Sequence, residues 1–244
     1  MNSINYQTGF AVNKQPQHIV DCICNVTGWW ARYVEGNSTT IDDIFTVRFG
    51  KTSGTFKVTE LQPLKKMRWL VTNSYLPLFK NISQWNGTEL LWEISNDNTI
   101  SRLTMTQIGV TPEIECYADC KKGWHFYINE SLFKLITKGE GMPGTGIFAH
   151  ISNTARRYEG ILYSRHDPLP DLTGEHILID VMKTKGEQVT AVYAIEKLNK
   201  ENFIADNLKG EYYMIVENTP LYNDATPLED IELITGTFLT EGLK

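Results

Sequence analysis

Glu60 is the carboxylate whose position in the sequence most invites chemistry. Phe56 and Val58 alternate with Lys57 and Thr59, the period of a strand with one core-facing side. Glu60 continues the apolar phase, so an unbroken strand would point it inward. Burial without a partner raises a carboxyl pKa. A group so placed could hydrogen-bond a ligand or serve as a general acid or base. The alternative is a strand that ends or bulges there and leaves Glu60 in solvent. Arg48, out of phase with Phe45, Val47 and Phe49, is expected to face solvent.

Sulfur is the second source of reactivity. Cys116, Cys120 and Trp124 recur one helical turn apart, so two thiols share a helix face with His125 next in the chain. Thiols at i and i+4 could ligate a metal, but His125 falls about 100° round the helix from Trp124. A zinc site would also need two further ligands. Cysteines lining the sheet-facing side of a helix are therefore expected, with no metal site and no cofactor. Cys22 and Cys24 are two residues apart and do not share a face. The five histidines are scattered, and neither Gly-x-Ser-x-Gly nor His-Glu-x-x-His occurs. His166-Asp167-Pro168, with Asp171 beyond, reads as a surface turn rather than a metal loop. Gly139 to Gly146 reads as a flexible linker rather than a phosphate loop, since no strand precedes it and no Lys-Ser/Thr closes it.

The remaining candidates are apolar. Phe56, Val58, Met67, Trp69, Trp92, Leu103, Met105, Cys120, Trp124, Tyr127 and Ser131 all fall on core-facing phases. With Glu60 they could wall a ligand cavity, because pockets are lined mainly by apolar and aromatic groups with few polar ones. Ordinary core packing is the alternative for the aromatics.

The elements that position these residues follow from periodicity. Residues 4–12 read as a strand. Pro16, Ile19, Val20, Ile23 and Val26 mark a helix that Gly28 ends, and Trp29-Trp30 open a short second one. Alternating runs follow around Phe45–Phe49, Phe56–Val58 and Met67–Val71, with a hairpin loop over Gly50–Gly54. Residues 73–85 are irregular. Thr88–Ser95 and Thr99–Ile108 form a hairpin across Asn96-Asp97-Asn98. From Glu113 to Lys138 there is no proline, and Cys116, Cys120, Trp124, Tyr127, Ser131 and Leu135 recur at steps of three and four. That spacing predicts one long helix, with Gly139 as its stop. A sheet with one apolar face must be covered, and this helix is the element large enough to do it. Beyond it, Ile177–Met182, Gln188–Ile195, Tyr212–Val216 and Ile231–Leu239 read as strands and Asn199–Leu208 as a short helix.

Composition divides the 244 residues in two. Residues 1–145 carry 14 basic and 13 acidic side chains; residues 146–244 carry 9 and 16. All six tryptophans and all four cysteines lie before residue 125. Such a shift suggests two units, 1–143 and 144–244, the second an acidic α+β or β-rich domain able to offer a surface to a protein partner. No basic stripe interleaved with aromatics points to nucleic acid. No apolar run reaches membrane-spanning length. The amino terminus lacks a basic start and apolar stretch, so a cytoplasmic location is expected.

Three segments resemble a known family. They are Val26-Thr27-Gly28-Trp29-Trp30; Trp85-Asn86-Gly87-Thr88-Glu89 with Trp92-Glu93-Ile94 and Leu103-Thr104; and Glu115 to Trp124, continuing to Ser131-Leu132 and Gly139-Glu140-Gly141-Met142-Pro143. Together they resemble the START-like (SRPBCC) branch related to the activator of the heat-shock protein 90 ATPase. The resemblance covers most of residues 1–143 and implies the helix-grip α+β fold, a curved antiparallel sheet wrapped on a long carboxy-terminal helix. It implies one of several functions, because that superfamily includes lipid carriers, hormone receptors, aromatase-cyclases and co-chaperones. The leading expectation is a non-enzymatic protein that binds a lipid-like or aromatic small molecule between sheet and helix. The alternatives are a cyclase- or hydratase-type enzyme using Glu60, and a co-chaperone or other protein-interaction module.

Overall fold

A computed structural model describes residues 4–152, 157–167, 176–183, 189–198, 212–216 and 232–235. The chain divides into two compact units, 1–144 and 145–244.

The first unit is a seven-stranded antiparallel sheet with helices on one face. Its strands are β1 (Tyr6–Val12), β2 (Tyr33–Gly36), β3 (Ile44–Phe49), β4 (Thr52–Gln62), β5 (Lys66–Tyr75), β6 (Glu89–Asn96) and β7 (Ser101–Ile108), in the order β1-β7-β6-β5-β4-β3-β2. β1 therefore crosses over to pair with β7, with Phe10 opposite Leu103. The apolar phase read from the sequence forms continuous cross-strand rows. Phe45 faces Phe56, Val58 faces Trp69, Met67 faces Trp92, and Trp92 faces Met105. All of these are at most 2% exposed, so a single face of the sheet carries the core.

Two helices, α1 (Pro16–Cys24) and α2 (Val26–Trp29), join β1 to β2. Pro16 opens α1, where its missing N–H is not needed. Ile19, Cys22 and Ile23 are its buried side. The long helix runs from Tyr117 to Lys138 in three parts: α3 (Tyr117–Trp124), a π-helical stretch (His125–Leu132) and α4 (Phe133–Lys138). It starts four residues later than the periodicity implied, because Thr111–Cys116 is spent on turns, with Ile114 N–H bonded to Thr111 O and Tyr117 N–H to Ile114 O. The π stretch widens the helix and resets its phase. The buried positions are Cys120, Trp124, Ile128, Ser131, Leu132, Leu135 and Ile136. Gly139 ends the helix at φ 81°, a left-handed cap that suits glycine.

Two expectations about connections change. The β3–β4 hairpin turns on Gly50-Lys51 alone, and Ser53 and Gly54 belong to β4. Residues 141–144 are not a free linker. Met142 N–H donates to Ser131 Oγ (2.6 Å), which donates to Trp29 O (2.6 Å). Gly144 N–H donates to Trp30 O and Arg32 N–H to Gly144 O, each at 2.9 Å. A Cβ at Gly141 would lie 2.3 Å from Gly28 O, so close backbone approach requires glycine there. The segment is a strap that closes the end of the helix against α2.

The second unit contains a six-stranded antiparallel sheet: β8 (Ile147–Ser152), β9 (Arg157–Ser164), β10 (His176–Lys183), β11 (Val189–Leu198), β12 (Tyr212–Val216) and β13 (Glu232–Thr235), ordered β11-β10-β12-β9-β8-β13. Tyr163 and Tyr213 stack at 5.3 Å, and Leu162, Tyr213 and Met214 are buried. His166 lies in a turn closed by Asp167, whose carboxylate accepts the Ser164 N–H at 3.0 Å. The helix expected at Asn199–Leu208 and the residues Pro168 and Asp171 lie outside the described residues.

Candidate functional site

Sheet and helix do not meet everywhere. At one end of their interface is a cavity of about 140 Å³. Four parts of the first unit build its wall. The long helix supplies Asp119, Cys120, Gly123, Trp124 and Tyr127. Trp30, just after α2, and the hairpin residues Phe49 and Thr52 supply two further parts. The β5–β6 loop supplies Leu76, Leu78, Phe79 and Trp85. Leu78 is 83% exposed and stands at the rim.

Each part is held by bonds that follow from local sequence. In the loop, Leu76 N–H donates to Ile82 O (2.7 Å), and the Trp85 carbonyl accepts the Thr88 N–H and hydroxyl. The loop is also tied to the start of the helix: Lys80 N–H donates to Glu115 Oε2 (2.9 Å) and Cys116 N–H to Gln84 Oε1 (3.0 Å). The rings are positioned by their neighbours. Trp85 and Trp124 stack at 6.2 Å, and Trp30 leans on Trp124 at 4.8 Å. Trp124 Nε1–H donates to the buried Gln107 Oε1 at 2.6 Å, and Trp85 Nε1–H donates to Cys120 Sγ at 3.3 Å. Gly123 contributes by what it lacks. A Cβ built on it meets no atom within 4 Å, so the space beside it stays open.

The wall is nearly all carbon. Asp119 is its one charged residue, and no Lys, Arg or His lines it. Contact with the Cys116 thiol, followed by burial, pushes Cys120 well up, whereas the same contact holds Cys116 down. Burial also raises Tyr127. Cys120 and Tyr127 are therefore neutral at ordinary pH.

Of the residues expected to wall a cavity, Cys120, Trp124 and Tyr127 do so. Phe56, Val58, Met67, Trp69, Trp92, Leu103 and Met105 instead fill the core. The rings there touch: Phe45 and Trp69 at 4.9 Å, Trp69 and Trp92 at 5.2 Å, Trp29 and Trp92 at 5.8 Å. Ser131 is buried and pins the strap. Trp30, Trp85, Gly123 and the loop residues were missed. Trp30 and Trp85 could have been suspected from their places in the two Trp-containing segments, and Gly123 from its presence inside a helix.

Glu60 requires a correction. The register between β4 and β5 shifts after Val58, so that Val58 faces Trp69 and Glu60 faces Arg68. Thr59 is the extra residue of a bulge, and the bulge turns Glu60 to the outer face. There its carboxylate meets Lys66 Nζ at 3.2 Å, Arg68 Nε at 3.2 Å and Gln62 Nε2 at 2.7 Å, while Arg68 also binds Glu89. The hydrogen bond from Lys66, followed by that from Arg68, holds the Glu60 carboxyl below the usual carboxylate range. This is the opposite of a catalytic acid, and Glu60 has no access to the cavity wall.

Among the described residues, no three His, Cys, Asp or Glu side chains gather as a metal site, and no helix is long and apolar enough to cross a membrane. No family model matches the chain, and no curated protein matches it. Solved structures do. The chain is similar to the Aha1 dimer from Colwellia psychrerythraea, at 21% identity over 58% of this chain and 100% of that one, with a TM-score of 0.46. It is similar to DynU16, a putative protein in the dynemicin biosynthetic locus, at 13% identity over 86% and 84% of the two chains, with a TM-score of 0.43. The ginseng major latex-like protein 151 from Panax ginseng follows at 9% identity over 50% and 91%, with a TM-score of 0.33. By its own strand order and helix placement, the first unit is an α+β helix-grip fold.

Proposed function

We propose that this chain is a binding protein for a small apolar or aromatic group, held in the cavity between the long helix, Trp30, the β3–β4 hairpin and the β5–β6 loop. The observation that carries it is an open space of about 140 Å³ walled by aromatic rings beside a large buried apolar core. A void of roughly 150 Å³ lined by apolar side chains is large enough for benzene, whereas drug-sized ligands occupy about 300 Å³ or more. The group enclosed is therefore about one ring in size, and anything longer projects past Leu78 into solvent. With Glu60 on the outer face, the cyclase or hydratase reading loses its acid-base group.

The test is native mass spectrometry of protein purified from its own host, with titration of small aromatic probes such as indole followed by tryptophan fluorescence. Half of the six tryptophans line the cavity, so occupancy should shift the emission. An extra mass lost on denaturation, or saturable quenching that a cavity-filling variant abolishes, supports the proposal. A chain that carries nothing and binds none of the probes contradicts it.

A further inference from the structure

Resting on the cavity reading above, we propose that the group this site takes is an alkylated ammonium: a cation whose charge is wrapped in methyl groups, as in choline.

The first reason is the wall. Trp30, Phe49, Phe79, Trp85, Trp124 and Tyr127 all line one space of about 140 Å³. Aromatic faces are negative at their centres and attract cations, tryptophan most strongly, and several rings around one point form the cage that recognises quaternary ammonium groups.

The second reason is the balance of charge. Asp119 is the one charged residue on the wall, and nothing there is cationic. Asp119 has Lys122 at 3.8 Å, but the two side chains are 66% and 80% exposed, and an exposed pair of this kind offsets little of the carboxylate's field. An anion such as a fatty-acid carboxylate would be desolvated here without a partner, which is strongly unfavourable.

The third reason concerns hydrogen bonds. The indole N–H groups of Trp85 and Trp124 are already committed to Cys120 Sγ and Gln107 Oε1. They cannot serve a carbonyl, phosphate or carboxylate in the cavity. A primary ammonium brings three donors that each need an acceptor, and the wall offers few beyond Asp119, Thr52 and Tyr127. An alkylated ammonium brings no donor to satisfy and still carries the charge that the rings and Asp119 attract. Its bulk also fits. A trimethylammonium head with the methylene that carries it has about five heavy atoms, close to the six of benzene, which a void of roughly 150 Å³ accepts.

The experiment titrates the full chain at fixed ionic strength with four probes: tetramethylammonium, choline, glycerophosphocholine and 3,3-dimethylbutan-1-ol, the neutral isostere of choline. Tryptophan fluorescence and calorimetry report binding. Choline should bind about tenfold more tightly than the neutral alcohol, the preference that a desolvated cation–ring contact supplies. Asp119→Asn should erode that preference by weakening choline more than the alcohol. Tighter binding of free choline than of glycerophosphocholine would assign the site to a free cation, and the reverse order to a lipid headgroup. Equal or tighter binding of the neutral alcohol overturns the cation assignment while leaving the cavity reading intact. If neither the cations nor the alcohol nor indole binds, both fail together.

Discussion

Gly123 is where the cavity can be closed by a single substitution, and Gly123→Leu separates its structural from its functional role. Glycine inside a helix is destabilising by about 0.5–1 kcal/mol relative to alanine, and leucine is nearly as good a helix former as alanine. A Cβ at this position meets nothing within 4 Å, and Gly123 lines the cavity, so a larger side chain is accommodated at the wall without a clash at its Cβ. Burying a leucine side chain gains about 1.5–3 kcal/mol when it is fully covered, and less here because the cavity opens at Leu78. Gly123→Leu should therefore stabilise the first unit by about 1–3 kcal/mol and abolish binding of cavity-sized probes. All six tryptophans belong to residues 29–124, so urea unfolding followed by tryptophan fluorescence reports the first unit by itself. The midpoint should rise with an unchanged m-value. A lower midpoint would mean the space beside Gly123 is not free. A higher midpoint with undiminished probe binding would mean the space is free but is not where ligand sits.

Glu60→Gln should leave probe binding untouched, because the bulge puts Glu60 on the outer face with Lys66 and Arg68. Its native carboxyl pKa is lowered, so its contribution is present above the unfolded value near 4.3 and fades as pH falls through the lower native value; the urea midpoint of Glu60→Gln should thus lose less than wild type between pH 7 and pH 3. Ser131→Ala should destabilise the first unit by about 1–3 kcal/mol, since the Met142 N–H and Trp29 carbonyl would lose a buried shared partner; an unchanged urea midpoint would show the strap to be dispensable. Burial pushes the Cys24 thiol up to about 11, so at pH 8 its thiolate fraction should be about a hundredfold below that of an ordinary cysteine; iodoacetamide labelling read by peptide mass should show it, and labelling at the rate of free cysteine would refute it.

Most of the sheet was legible because alternation reports directly which face a residue occupies. Phe45, Phe56, Val58, Trp69, Trp92 and Met105 all lie on the core side as their phase required. The same reasoning failed at Glu60 because alternation presumes an unbroken strand, and a bulge at Thr59 reverses every later phase with no change in residue pattern. The long helix was legible from its spacing, but the π stretch was not. Thus Tyr127 and Ser131, which share a face by α-helical spacing, have different tasks: one lines the cavity and the other pins the strap. The cavity's position was legible only in part. Periodicity says which side of the sheet is covered, not at which end the cover lifts away, and that end is shaped by a loop whose residues have no period.

The combination of Gly123, Trp85 and Gln107 argues that the open space is built rather than left over. A helix that needed only to cover the sheet would carry a larger residue at position 123, where a Cβ has room and where glycine is the less stable choice. Trp85, from the loop, is fixed by its indole N–H bond to Cys120 Sγ. Trp124 is likewise fixed by Gln107, a buried amide whose own Nε2 finds no partner. Leaving a buried donor unpaired is unfavourable by about 1–3 kcal/mol, so orienting Trp124 through Gln107 is not the arrangement that packing alone would select. Each of the three departs from the most stable choice at a residue that lines the cavity or holds one that does. Gln107→Leu tests this directly. If the amide serves only stability, probe affinity should be retained in the fraction that folds. If it serves to aim Trp124, affinity should fall several-fold even where the urea midpoint is restored by a stabilising second substitution away from the cavity.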